Sequence, residues 1–265
     1  MTDNYKSAGN AKGAVYMAFG DDSSYKGCLS FAYVVLKRTK VRRILREIRQ
    51  LKQRLAFPDG VDIHLRILNS SHQREKYGLS HIGKLAIESL CNNLVSIINR
   101  NDVIVRYAHC REDEAAPLFK EIKLLDPITG QMKTAETKYD PKGVLGLLAH
   151  LGMTDYPGYP LLQDTEVYIS PDQTQVKFLG PNRRQAHFWA SGYSLNDQFY
   201  FQPHIGDGGY SGMMELADFA AYITCHGVHG LELEPYYFSL MNSITYRVCS
   251  KFGAAYPAEV EGRGA

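Results

Sequence analysis

The chain has 265 residues, with 30 Lys+Arg against 28 Asp+Glu, 45% apolar and 22% charged residues, 5 Cys and 1 Trp. That composition excludes a disordered, collagenous or disulfide-framework protein, and the length suits one large domain with a sizeable core that carries insertions. The formal net charge of +2 hides an uneven distribution: residues 37–54 hold nine Lys/Arg and one Glu, which leaves about −6 on the remainder.

Residues 1–13 read as a polar, flexible lead without the apolar run of a secretory signal, and no stretch approaches the ~20 apolar residues of a membrane span. Ala14–Phe19 is an apolar, aromatic run with the composition of a buried strand, entering a turn at Gly20-Asp21-Asp22-Ser23-Ser24, and Tyr25–Leu36 is its hairpin partner. Val41, Ile44, Leu45, Ile48, Leu51 and Leu55 follow the spacing of one helical stripe, which Pro58-Asp59-Gly60 ends. Val61–Leu68 alternates, with Ile63, Leu65 and Ile67 on one face and Asp62, His64 and Arg66 on the other, as a half-buried strand does. A helix follows from Ser80, its candidate N-cap, to Asn99, and then a strand over Val103–His109.

Residues 111–160 read as an insertion, with a loop at Asp126–Asp140 and a short helical pattern around Val144–Leu151. Thr165–Ser170 is a strand leading into Pro171-Asp172, and Gln198–Gln202 is another. The Gly-rich turn Gly206–Gly212 opens a helix from Ser211 to about Cys225, a final helix covers Glu234–Phe252, and 254–265 is a flexible tail. The sum is an α/β fold: one domain over 14–253 with a mixed sheet flanked by helices. The cysteines, Cys28, Cys91, Cys110, Cys225 and Cys249, are odd in number, widely spaced and without a Cys-x-x-Cys pair, so they read as reduced thiols of a cytoplasmic protein.

The acidic residues fall at informative places. Asp21 and Asp22 stand where the first strand is expected to end, and Asp172 just past another. Glu215 and Asp218, three apart on a helix, share a face, while Met214, Ala217 and Ala221 form the inward stripe. The small residues Ala217, Ala220 and Ala221 let this helix lie close to a sheet, which would bring Asp218 to the strands carrying Asp21 and Asp172. Three carboxylates that converge repel unless a cation or a proton compensates them. Oxygen-only donors suit Mg²⁺ or Mn²⁺, and such ions can activate a water against a phosphodiester. Taken singly, each of these acids reads as structural rather than catalytic: a turn former, a helix cap or a solvated face.

The run Tyr16-Met17-Ala18-Phe19-Gly20-Asp21-Asp22-Ser23-Ser24, with Asp62-Ile63-His64 and the late Gly212-Met213-Met214-Glu215-Leu216-Ala217-Asp218-Phe219-Ala220-Ala221-Tyr222, resembles a widespread microbial and phage family of unknown function. Its members open with Tyr-x-Asp-Glu-Ser-Gly, carry a Glu-x-His in mid-sequence and close with a Leu-Gln-x-Ala-Asp-x-x-Ala-Tyr helix. The resemblance implies a ribonuclease H-like fold and a metal-dependent nuclease, an inference from fold analogy. By motif, Asp21 and Asp22 take the places of the family's first Asp and Glu, Asp62 and His64 those of its Glu and His, and Asp218 that of its Asp. Ser24 replaces the motif Gly, and Glu215 replaces its Gln. Asp172 corresponds to the acid that follows a later strand in ribonuclease H-like architecture. Imidazole suits Mg²⁺ poorly and Mn²⁺ or Zn²⁺ better, so at the site His64 would serve as a general acid or a hydrogen-bond donor to the transition state; the competing reading is a surface histidine on a half-exposed strand.

Lys37, Arg38, Lys40, Arg42, Arg43, Arg46, Arg49, Lys52 and Arg54 lie along the polar side of the first long helix, a density that attracts a phosphate backbone. Lys177, Arg183 and Arg184 form a second basic group among Phe178, His187, Phe188 and Trp189, a mixture able to hold unstacked nucleotides. The competing reading of the helix is a solvated or homo-oligomer-facing surface. The expected function is a divalent-metal-dependent phosphodiesterase acting on DNA or RNA. Asp21, Asp172 and Asp218 are its ligands, Asp22, Asp62 and Glu215 further metal-site residues, and His64 a catalytic auxiliary. The alternative is a nucleic-acid or protein-binding module of the same fold without a competent metal centre.

Overall fold

A computed structural model describes residues 15–116, 121–125, 132–136, 141, 144–145, 148–149, 152, 165–169, 204–205 and 209–251. Two ten-residue strands, β1 (Tyr16–Tyr25) and β2 (Cys28–Lys37), pair antiparallel about the turn Lys26-Gly27. Both turn residues have positive φ, 44° and 72°, as a two-residue type I′ hairpin requires. The turn expected at Gly20–Ser24 is therefore strand, and β1 runs straight through both aspartates. Gly20 supplies space there, because a Cβ on it would lie 2.4 Å from Tyr33 Cε1 and 2.8 Å from Phe31 Cε1.

Helix α1 (Val41–Arg54) buries the stripe its sequence announces: Val41, Ile44, Ile48 and Leu51 are all at most 3% exposed. Each such aliphatic side chain contributes about 2 kcal/mol. Residues 61–64 form neither helix nor strand, with His64 itself extended, and Leu65–Leu68 forms the single-turn helix α2. The strand expected over Val61–Leu68 is thus absent. Ile63 is instead buried from the segment before α2, and Leu65 and Leu68, three apart, form the buried side of α2 itself. A short helix α3 (Ser71–Lys76) follows, with the Ser70 side chain accepting from the Gln73 N–H. Helix α4 (Lys84–Arg100) begins after Gly83 rather than at Ser80.

Strand β3 (Ile104–Arg111) runs antiparallel to β2. After the one-turn helix α5 (Glu112–Ala115), β4 (Glu121–Leu125) and β5 (Met132–Glu136) form a separate two-stranded hairpin inside the expected insertion, so part of the expected loop is strand. Strand β6 (Thr165–Ile169) lies parallel to β1 on its free side, and β7 (His204–Ile205) lies parallel to β6. Gln198–Gln202, the lead and the tail lie outside the described residues. Helix α6 (Ser211–Gly227) is followed by α7 (Pro235–Asn242) and by β8 (Arg247–Lys251), parallel to β3. The long last helix expected over Glu234–Phe252 is therefore a short helix and a strand. Its second half supplies the partner that the outer edge of β3 would otherwise lack.

The main sheet has the order β7-β6-β1-β2-β3-β8, so the fold is α/β with a mixed open sheet. One core fills the space between this sheet and α1, α4, α6 and α7. A second lies on the opposite face, where Leu29, Phe31 and Tyr33 meet the helical residues Val144, Leu145 and Leu148. All five cysteines are free thiols, four of them buried. No helix among the described residues is long and apolar enough to cross a membrane.

Candidate functional site

Helix α6 lies across β1 and β2, and Ala217, Ala220 and Ala221 are fully buried beneath it, the close approach that small residues permit. Almost every side of this helix is covered. Ser211, Met214, Asp218 and Tyr222, spaced three or four residues apart, form the one stripe of α6 that reaches solvent. Asp218 is thus displayed at the surface by a helix that is otherwise core.

Its partner comes from the segment before α2. His64 Nδ1 lies 2.9 Å from Asp218 Oδ2, although the two residues are 154 positions apart. The imidazole is 40% exposed and the carboxylate 18%. The hydrogen bond to Asp218 raises the pKa of His64 above the ordinary histidine value, against the opposing effect of burial. The ring therefore holds a second proton to higher pH than a free histidine does, and among the described residues no hydrogen bond reaches its other nitrogen.

Glu215 determines where that segment sits. Its side chain is 5% exposed; Oε1 accepts from Lys52 Nζ at 2.8 Å, and Oε2 accepts from the Ile63 backbone N–H at 2.9 Å. One carboxylate thereby ties α1, α6 and the residue preceding His64 together. Burial pushes the Glu215 carboxyl up to about 7, with Lys52 and the Ile63 N–H pulling the other way. Both oxygens have donors, so Glu215 stands as a clasp beside Asp218 rather than as a free ligand. Asp62 is exposed, and its carboxylate lies 3.5 Å from Lys52 Nζ. Beyond His64, Asn69 Nδ2 donates to Tyr222 Oη at 3.0 Å and to Tyr237 Oη at 2.9 Å, a second tie between this segment and the helices.

The period of a strand separates Asp21 from Asp22. Met17 and Phe19 face the core beneath α6, and Asp21 continues that face; Ala18 and Gly20 face the opposite core, and Asp22 continues that one. Asp21 Oδ1 also accepts from the Asp22 N–H at 2.9 Å. Only Asp21 lies on the side where Asp218 stands. Asp172, Lys177, Arg183 and Arg184 lie outside the described residues. Among the described residues no group of three or more His, Cys, Asp and Glu side chains is placed to hold a metal ion.

The arginines of α1 divide by helical position. Arg42, Leu45, Arg49 and Lys52 form the stripe toward α6, where Lys52 reaches Glu215 and Leu45 lies against Gly212. Arg43, Glu47, Gln50 and Arg54 form the stripe toward α4, where Glu47 binds Arg43 and Arg100, each at 3.0 Å. Arg46 is exposed on the crest between them. Of the four arginines expected to contact nucleic acid, Arg42 and Arg49 therefore lie on the α1 stripe that faces α6, Arg49 about one turn from Lys52 and Arg42 nearly three, and Arg43 is on the other stripe.

Two participants are missed by the sequence reading. Lys52 groups there with the exposed basic residues, yet it stands four residues beyond Ile48 and eight beyond Ile44, at an apolar-stripe position, and that spacing is the signal that it turns inward. Asn69 carries no comparable signal. Comparison of the chain with family models, with curated proteins and with solved structures returned no match.

Proposed function

We propose that the chain is a phosphodiester-cleaving hydrolase of ribonuclease H-like fold, centred on Asp218 and His64. The observation that carries this reading is the 2.9 Å contact between those two side chains, drawn from separate motifs at opposite ends of the sequence. Support for the fold comes from the β1–β2–β3 meander, extended on the β1 side by parallel strands, with a motif acid in β1 facing the helix that carries another.

His64, whose affinity for a second proton Asp218 raises, turns Nδ1 to Asp218 and, in its protonated form, donates from its outer nitrogen to a phosphoryl or leaving-group oxygen. The Glu215 clasp fixes the backbone before it, and Arg42 and Arg49 hold the neighbouring phosphates. Asp21 and Asp218 offer the hard oxygen donors that Mg²⁺ or Mn²⁺ prefer, with Asp172 assigned as the third. The described donors are too few to complete such a site by themselves. When bound, the cation supplies an activated water and neutralises charge on the phosphate.

The test is cleavage of labelled single-stranded and duplex DNA and RNA with Mg²⁺ or Mn²⁺ and with EDTA. Cleavage should need the cation and should fall at least a hundredfold in Asp218→Asn and Asp21→Asn, since Asn keeps the shape and removes the charge. Undiminished cleavage by Asp218→Asn would overturn the proposal. The second reading, a binding module without a competent metal centre, is favoured by the lack of a three-donor group among the described residues. Tight binding without cleavage under every cation would establish it.

A further inference from the structure

The polar stripe of α1 that turns away from the His64–Asp218 flank opens onto a second feature. Between α1 and α4 lies an open groove of about 700 Å³, lined by polar and charged residues whose aliphatic stems also form part of its surface. Arg43, Arg54 and Arg100 supply three guanidinium groups, and Gln50, Gln53 and Asn93 supply amides. The single acid of the lining, Glu47, is already engaged: Oε1 accepts from Arg43 Nε, and Oε2 accepts from Arg100 and from Asn101 Nδ2 at 3.1 Å. Hydrogen bonds from Arg43, Arg100 and Asn101 hold the Glu47 carboxyl below its ordinary value despite partial burial. Glu47, ionised, offsets one of the three guanidinium charges and fixes Arg43 and Arg100 in place, so the lining keeps a net charge of about +2. With Arg43 gripped at Nε, its terminal nitrogens are left to meet an anion, and a guanidinium fork matches two phosphate oxygens.

We propose that this groove tracks the phosphodiester backbone of a nucleic-acid strand, and that the strand crosses α1 to reach the His64–Asp218 flank. The proposal rests on the hydrolase reading above and adds where the substrate extends beyond the reacting phosphate. The lining selects the ligand class. It contains no aromatic residue on which a base could stack, so the contacts fall on phosphate and sugar and carry no sequence preference. The arginines continue past the groove: Arg46 on the crest and then Arg42 and Arg49 on the far side, all exposed, with no ion pair to them among the described residues. One small anion would need a single arginine pair. A row that crosses a helix about 10 Å wide suits several phosphates in succession.

The experiment measures binding alone. Fluorescence anisotropy of labelled single-stranded and duplex oligonucleotides is followed in EDTA across 50–200 mM salt, for the wild-type chain, Arg54→Glu, Arg54→Gln, Gln50→Glu and, as a control away from the groove, Lys84→Glu. Groove substitutions should weaken binding severalfold or more. Arg54→Gln should flatten the dependence of log affinity on log salt by about 0.7 for a single strand or about 0.9 for duplex, the value of one lost phosphate contact. Lys84→Glu should leave both unchanged. Thermal melts by circular dichroism identify any variant that loses its fold, and Arg54→Gln, the mildest change, then decides. Equal affinity and slope in Arg54→Gln, Gln50→Glu and the wild type would overturn the groove assignment. So would displacement of the oligonucleotide by inorganic phosphate at an equal concentration of phosphate groups. Groove effects without cleavage on adding Mg²⁺ would keep the track and remove the hydrolase. Cleavage without groove effects would do the reverse.

Discussion

Replacing Glu215 by glutamine isolates the cost of a buried carboxylate. In the folded chain this group titrates at about 7, against an ordinary glutamate value of 4.5, chiefly because burial disfavours its charged form. Between those two values the folded state keeps a proton that the unfolded state has released, so stability must fall as pH rises. The contribution is fully present below 4.5 and is lost by the time pH passes 7. At about 1.4 kcal/mol for each tenfold change in proton affinity, the separation amounts to about 3 kcal/mol. The side chain is 5% exposed, so solvent does little to reduce that figure. The amide introduced by Glu215→Gln would keep the volume and an acceptor for the Ile63 N–H and has no proton to lose, while Lys52 still has Asp62 within 3.5 Å. Urea unfolding followed by circular dichroism from pH 4.5 to 7.5 should show the wild type losing about 3 kcal/mol relative to E215Q. Groups common to both chains cancel in that comparison. Parallel profiles would refute the reasoning, and a wild type that gains on E215Q as pH rises would show that the attraction of Lys52 exceeds the cost of burial.

Asp218→Asn should return the His64 titration toward the ordinary histidine range, read from the imidazole proton shifts by NMR; an unmoved titration would break the pairing on which the site is built. Because the folded His64 value is raised, its pairing stabilises the fold below the unfolded value of about 6.5 and is lost as pH rises through the folded one. With the ring 40% exposed, screening keeps this within about 1 kcal/mol. Gly20→Ala should destabilise the sheet by about 1–3 kcal/mol, since the new methyl meets the Tyr33 and Phe31 rings and Tyr33 is itself held by its hydroxyl donating to the Ala149 carbonyl at 3.0 Å. A thermal midpoint equal to the wild type would show that the rings move aside without cost. Asn69→Ala removes the donor shared by Tyr222 and Tyr237 and should cost under about 2 kcal/mol in the same measurement, and no change would mean that water replaces it.

Segments whose pattern repeats over several turns were legible from the chain alone. Helix α1 follows from six apolar residues at helical spacing, and α6 from its alanines, whose small size also foretold its close seat on the sheet. Short stretches misled where local chemistry admits two outcomes. Gly20-Asp21-Asp22-Ser23-Ser24 is turn-like in composition, yet Gly20 is in mid-strand because two aromatic rings need the room. Val61–Leu68 alternates like a strand, but its second half closes into one turn of helix whose buried residues, Leu65 and Leu68, are three apart, while Ile67 is only partly covered.

The order of residues along the chain settled which segments can bury an apolar face, because periodicity is a property of neighbours, and it gathered the acids and the basic stripe into a short set of candidates. It left open which of them meet. His64 and Asp218 lie 154 positions apart, and Lys52 and Glu215 lie 163 apart, distances over which local pattern carries no information. The tertiary structure decided that Asp21 and Asp22 face opposite ways, that Glu215 is a clasp and that the arginines of α1 serve two flanks. Each of these outcomes depends on which surface covers a residue, and that surface is supplied by other parts of the chain.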